Sequence, residues 1–239
     1  MIKLAMRLCA ATLALCSLPA LGQTLLNQAS LNAAGGTISI STPGSYKLSS
    51  NLAPPAGKDA IDILTDNVHL DLNGFAILGS LSCPGPSGKG CAGVGFPTGI
   101  YAGGNNTVVV NGVVKGFYYG VFLYSSGMAE EIVASNNGYG IYAYNSLVKR
   151  NMAFYNSYAG ITVYNGIVSE NEVSGNLLQG IYAYYSTVLG NSVNGTQGVG
   201  VTLSYGIFGS NMIGWNTSGA LSNSGAISQN NNFCYGSSC

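Results

Sequence analysis

From Gly120 onward, apolar and polar positions return every twenty residues. Gly120, Gly140, Gly160, Gly180 and Gly200 form one column, and each precedes an apolar residue: Val121, Ile141, Ile161, Ile181 and Val201, with Leu221 continuing the series. Two residues further on stand Leu123, Ala143, Val163, Ala183 and Leu203. Such alternation marks a strand with one buried face, because successive side chains of an extended chain point to opposite sides. A second apolar column reads Met128, Val148, Val168, Val188 and Phe208; a third reads Val113, Val133, Ala153, Val173, Val193, Ile213 and Phe233. Three apolar columns per repeat predict three short strands around a triangular interior. The fold class is therefore all-β: a single-stranded parallel β-helix, a solenoid with one coil per repeat. Leucine-rich repeats need a denser leucine pattern, and helix-pair repeats are longer and poor in Gly and Asn.

Two polar columns run between the apolar ones. The first holds Asn111, Asn151, Asn171, Asn191, Asn211 and Asn231, with Glu131 as the exception and Asn73 at its head. The second holds Asn136, Asn156, Asn176 and Asn216, interrupted by Thr196. Asparagine tolerates the left-handed backbone of a sharp corner, and its amide can both donate to and accept from an identical side chain one coil away. Both columns are expected to be structural ladders at corners.

The first 22 residues are expected to be a cleaved signal peptide. Lys3 and Arg7 precede an apolar run from Leu8 to Leu18, and Ala20-Leu21-Gly22 offers small residues before Gln23. The run is too short to span a bilayer, which takes ~20 apolar residues. A lipoprotein reading at Cys16 is disfavoured by the bulky Leu15 before it. The mature chain, 23–239, then carries six basic against eight acidic residues, so nothing in it attracts nucleic acid or anionic lipid. No membrane span, metal or cofactor is expected of it, and it is read as a monomer in the periplasm or outside the cell. Four cysteines remain, and in a solenoid only Cys83 with Cys91 and Cys234 with Cys239 lie close enough to bridge. The Gly- and Pro-rich stretch 80–97, stapled by the first pair, breaks the repeat and is expected to stand out as a loop.

The repeats Gly140-Ile141-Tyr142-Ala143-Tyr144 and Asn145-Ser146-Leu147-Val148-Lys149-Arg150-Asn151 resemble the right-handed parallel β-helix repeats of the pectin-lyase-like superfamily, including its NosD-like members. Upstream, Pro43 to Leu48 and Asp62 to Phe75 are similar to the opening coils of bacterial members. The resemblance implies a right-handed solenoid, and a short helix within Thr24 to Ala34 that covers the first coil through Leu25, Leu26 and Leu31. It constrains function weakly, since one fold hosts many activities.

Enzymes of that superfamily need clustered carboxylates with calcium or a basic residue. In the regular coils Glu130, Arg150 and Glu170 share a column and are expected to form a surface ladder of alternating sign. A denser group, Asp59, Asp62, Asp66 and Asp71 with His69, is the catalytic alternative, with His69 and Asp71 flanking Leu70 on one outward face. The chain leans toward a non-catalytic role; if it is an enzyme, it is expected to be a polysaccharide lyase or glycoside hydrolase.

One outward face rises above scaffold. Phe122, Tyr142 and Tyr182 fall in one column and Tyr124, Tyr144, Tyr164 and Tyr184 in the next, with Tyr185 and Tyr205 beside them. Coils stack ~4.8 Å apart, so the rings should form a flat strip. Tyrosine offers an apolar face to the C–H surface of a sugar and a hydroxyl to its polar edge. The resemblance implies that related enzymes hold polysaccharide here. A polysaccharide or cell-surface glycan is the expected partner; cross-strand stabilisation or a protein contact are the alternatives.

Overall fold

Each glycine-led strand pairs in parallel with its counterpart one coil later. Thr98–Ala102, Tyr119–Leu123, Tyr139–Tyr144, Ala159–Tyr164, Gln179–Leu189, Val199–Gly209 and Leu221–Ser228 follow one another in this way. Two earlier strands, Ile38–Ile40 and Ile61–Ile63, extend the same sheet. The computed structural model describes residues 22–83, 90–235 and 239, and forms a parallel β-solenoid of about 10 turns with very little helix. The expected leader lies outside the described residues except for Gly22, as do residues 84–89 of the loop. Among the described residues no helix is long and apolar enough to cross a membrane.

The first apolar column closes the interior as the alternation requires: Ile100, Val121, Ile141, Ile161, Ile181 and Val201 are all fully buried. The other two columns shift by one residue in the early coils. Ala129 rather than Met128 pairs with Val148, and Ala134 rather than Val133 pairs with Ala153. Val113 is likewise displaced, and Val114 takes the interior position. The corner between Leu123 and Ala129 is one residue longer than that between Ala143 and Val148. The corner before Gly140 is one shorter, so the glycines keep their spacing while the columns between them slip. At the last coil the slip recurs: Cys234, not Phe233, pairs with Ile213, and Phe233 is exposed.

The asparagine ladder follows the same correction. Asn151, Asn171, Asn191 and Asn211 are buried, and each Nδ2 donates both to the next coil's amide oxygen and to a backbone carbonyl of the coil before. Asn232, not Asn231, completes the run. Asn111 is exposed and hydrogen-bonds Asp71, while Ile132 occupies the ladder position in the next coil. In the second ladder Asn137 replaces Asn136, accepting from Phe117 N–H and donating to Val114 O. The left-handed residues are the neighbours before the ladder, such as Arg150, Tyr155 and Glu170, and not the ladder amides themselves. Amide stacking explains the buried ladder asparagines, while Asn73, Asn111 and Asn136 do take the left-handed corner conformation expected of them.

The glycine column has a separate cause. None of its members has a positive φ. A Cβ on Gly160 would fall 2.7 Å from Asn176 Nδ2 and 2.9 Å from Gly180 O, so the coil stacks directly on that spot.

The ends are closed locally. Thr24–Leu26 pairs as a strand with Tyr46–Leu48, and a helix shorter than expected, Gln28–Ala33, starts after Asn27, whose side chain accepts from Ser30 N–H. Leu31 buries against the first coil; Leu25 faces solvent. At the far end Asn223 stands in the inward column but is exposed and folds onto Ala226. Both expected disulfides form, with Cα separations of 4.2 Å for Cys83–Cys91 and 5.7 Å for Cys234–Cys239. The charged ladder is rearranged: Glu130 pairs in register with Lys149 at 3.2 Å and is also bound by Arg150, whereas Glu170 has no ion pair among the described residues.

Candidate functional site

All seven expected aromatic residues share one face of the glycine-led sheet. Phe122 and Tyr142 stack at 5.2 Å with planes 3° apart, and Tyr144 and Tyr164 stack at 5.0 Å. Elsewhere the rings lean: Tyr164 meets Tyr182 at 55° and Tyr184 at 54°. The face is therefore corrugated, not flat, because tilted and edge-to-face contacts suit the ring quadrupoles better than a regular stack. Tyr185 and Tyr205 form their own stacked pair at 4.9 Å on a left-handed corner.

A further aromatic column escaped the alternation. Tyr119 and Tyr139, the residues just before two of the column glycines, pair in register and stack at 5.3 Å. Gly120 and Val121 are both buried, so the strand bends at the glycine and strict period-2 counting fails there. The visible signal was the repeated Tyr-Gly pair. Tyr158 extends this column's edge, stacking on Tyr139 at 5.2 Å, and Tyr101 adds a ring beside Phe122 at 5.7 Å. The stapled loop borders the face: Phe96 packs edge-on against Tyr118 at 4.8 Å, and Gly90 O accepts from Ser157 Oγ. Burial pushes the Tyr139 hydroxyl up to about 12, with neighbouring tyrosines adding to the effect, and raises Tyr119 and Tyr142 likewise. These three phenols therefore stay protonated across the physiological range.

The acidic group is divided between two strands. Asp62 lies on the aromatic face, in register with Tyr101, whereas His69 and Asp71 stand on the next strand around the corner, in register with Val108 and Val110. Burial of Asp71 would raise its pKa, but hydrogen bonds from Asn73, Lys47 and Asn111 outweigh it and hold the carboxyl below its usual value. Asp71 thereby braces a turn and a 3.3 Å ion pair with Lys47. Asp59 caps Thr98 N–H at 2.6 Å. Asp66 accepts from Asn105. Among the described residues no three His, Cys, Asp or Glu side chains gather closely enough to hold a metal.

Asp62 is different. Burial, and secondarily the charge of Asp59, lifts its pKa to about 6 from 3.8. The folded state then holds the proton more tightly than the unfolded chain does. The contribution of Asp62 to stability should be fully present below about pH 4, be lost as pH rises through 6, and stay lost above it. Asp62→Asn is expected to flatten that slope and to unfold at a higher temperature than the parent at pH 7 but not at pH 4. Thermal melts across that range check this, and parallel curves for the two proteins would refute it.

No family model matches the sequence, and no curated protein matches it. Solved structures do match the fold. The Dettilon tailspike protein aligns with a TM-score of 0.53 at 16% identity, over 80% of this chain and 42% of the tailspike, so this chain spans less than half of that protein. The A-module of a mannuronan C-5 epimerase from Azotobacter vinelandii aligns with a TM-score of 0.50 at 14% identity, over 83% of this chain and 76% of the module. At such identity the likeness concerns the fold: the chain is a parallel β-helix.

Proposed function

We propose that the chain is an exported, non-catalytic β-helix that holds a polysaccharide or other cell-surface polymer against its tyrosine face. The observation that carries this reading is the face itself: three aligned columns of aromatic rings, bordered by a disulfide-stapled loop, on a β-solenoid of about 10 turns. The ring edges, and the partial faces left open where Tyr164 tilts against Tyr182 and Tyr184, offer apolar surface to sugar C–H groups beside a line of hydroxyls. One structural neighbour is named for mannuronan, a polysaccharide, which supports carbohydrate as the class of ligand. Two disulfides suit an oxidising compartment outside the cytoplasm.

A pull-down on a panel of insoluble polysaccharides tests the reading. Retention of the parent protein on at least one member is expected. The double variant Tyr144→Ala, Tyr164→Ala should weaken it by on the order of 30-fold, roughly 1 kcal/mol for each lost ring. Undiminished retention by a folded double variant would exclude the face as the site.

Asp62 favours a second reading, a carbohydrate-active enzyme, because a carboxyl with a pKa of about 6 beside the aromatic columns suits general acid catalysis. Lyase and hydrolase assays on acidic and neutral polysaccharides, with and without calcium, separate the two. Turnover that Asp62→Asn abolishes would replace the binding role with an enzymatic one.

A further inference from the structure

The aromatic columns are interrupted at one place. In the register Tyr101, Phe122, Tyr142, Thr162, Tyr182, a threonine stands where its neighbours carry rings. Tyr142 and Tyr182 are therefore two coils apart, roughly 9.6 Å. In the adjoining column the rings of Tyr119 and Tyr139 give way to Ala159 and Gln179. The two gaps coincide and open a depression of about 150 Å³ lined by Tyr139, Tyr142, Thr162, Tyr164, Gln179 and Tyr182. That is well below the ~300–1,000 Å³ of a site for a drug-sized ligand, and of the order that accepts one six-membered ring.

Its floor carries an unmet hydrogen bond. Thr162 alternates with inward Ile161 and Val163, so it points to the aromatic side, yet it is only 3% exposed and its Oγ1 has no hydrogen-bond partner among the described residues. A buried hydroxyl in that state destabilises the free protein, and a valine of the same shape would not. A ligand hydroxyl entering the depression would satisfy it. At the rim the Gln179 amide donates to Thr202 at 3.4 Å, and Gln179 also lines the opening as a further polar group.

The lining has no ionised side chain. Burial keeps the phenols of Tyr139, Tyr142 and Tyr182 protonated well beyond neutral pH. No lysine or arginine lines the depression, and the charged group in its column is the acid Asp62. A uronate carboxylate brought here would be stripped of water with no counter-ion.

We propose that this depression is the subsite that seats one hexopyranose unit of an uncharged glycan, with Thr162 Oγ1 bonded to a ring hydroxyl and Tyr142, Tyr164 and Tyr182 enclosing the C–H faces. The proposal rests on the polysaccharide reading of the face and narrows it to a class and a place. It also sets the chain apart from the mannuronan-directed neighbour, whose named polymer is a polyanion.

Affinity electrophoresis of the full chain in gels containing galactomannan, mixed-linkage β-glucan, dextran, polymannuronate or polygalacturonate provides the test. At least one neutral polymer is expected to retard the protein, with the acidic polymers bound at least about tenfold more weakly, the factor that one uncompensated polar loss produces. Thr162→Val should weaken the neutral complex about tenfold while leaving the thermal midpoint unchanged or raised, and Thr162→Ser should retain binding. If Thr162→Val binds like the parent while Tyr144→Ala, Tyr164→Ala does not, the face stands and the subsite is wrong. A midpoint several degrees lower in Thr162→Val would assign the hydroxyl a structural partner and overturn the proposal. Equal retention by polymannuronate would overturn the uncharged class. Absence of retardation by every polymer would remove the polysaccharide reading together with its subsite.

Discussion

Asn171→Leu is expected to lower the thermal midpoint by on the order of 10 °C, although the substitution fills the same volume with an apolar group. Asn171 is 2% exposed and stands at the centre of four hydrogen bonds. Its Nδ2 donates to Val148 O and to Asn191 Oδ1, both at 2.9 Å, and its Oδ1 accepts from the Asn151 backbone N–H at 2.9 Å and from Asn151 Nδ2 at 3.0 Å. Leucine leaves the carbonyl of Val148 and the amide of Asn151 buried without partners, and each such group costs about 1–3 kcal/mol. A sum near 3–5 kcal/mol follows, at roughly 2–4 °C per kcal/mol for a chain of this size. Asn231→Ala makes the contrast. It shares the twenty-residue spacing of the column, but its bonds to Ser210 are exposed and water can replace them, so the change should stay within about 1 kcal/mol. Calorimetry on both variants decides the ladder's register, and equal losses would show that the assignment to Asn232 is mistaken.

The second large effect belongs to the smallest residue. Gly180→Ala is expected to destabilise the solenoid by about 3 kcal/mol or more, at the upper end for an overpacked core. The added methyl would lie 2.4 Å from Gly200 O, 2.5 Å from Val193 Cγ1 and 3.2 Å from Thr196 Oγ1. Two of these are backbone or interior groups of the following coil, which cannot move away without parting the parallel ladder. Because each coil contacts only its neighbours, the damage should spread as local unfolding of the C-terminal coils. Hydrogen exchange should show lost protection in 180–235 ahead of the N-terminal coils. Gly74→Ala provides the comparison: its φ is +76° but no atom lies within 4 Å, so the cost is the backbone term alone, roughly 1 kcal/mol. Similar losses at the two glycines would mean that backbone freedom, and not close approach, maintains the column.

Much of this architecture was legible from spacing. The inward column from Val121 to Val201 and the alternation around it sufficed for strands, coils and the outward tyrosines, since the period of two follows from extended backbone geometry alone. The cysteine pairs were legible because stacking leaves them no other partners within reach. The slips at Met128, Val133, Asn111, Asn231 and Phe233 were not. A corner can absorb one extra residue without changing the composition of the repeat, and the glycines stayed twenty apart because one corner lengthened as another shortened. Tyr119 and Tyr139 were hidden for a related reason, the bend at the column glycine that reverses the alternation.

By itself, then, the sequence determined a coiled all-β chain with an amide ladder and a tyrosine face, because those depend on periodicity, which is local and additive along the chain. Tertiary structure alone decided which asparagines are buried, why the glycines cannot carry a methyl, and where the aromatic face opens beside Thr162. It also separated Asp62, next to the rings, from His69 and Asp71 around the corner. Each of these depends on which side chain of the next coil comes to lie above a given atom, and that pairing is set by how every intervening corner is built.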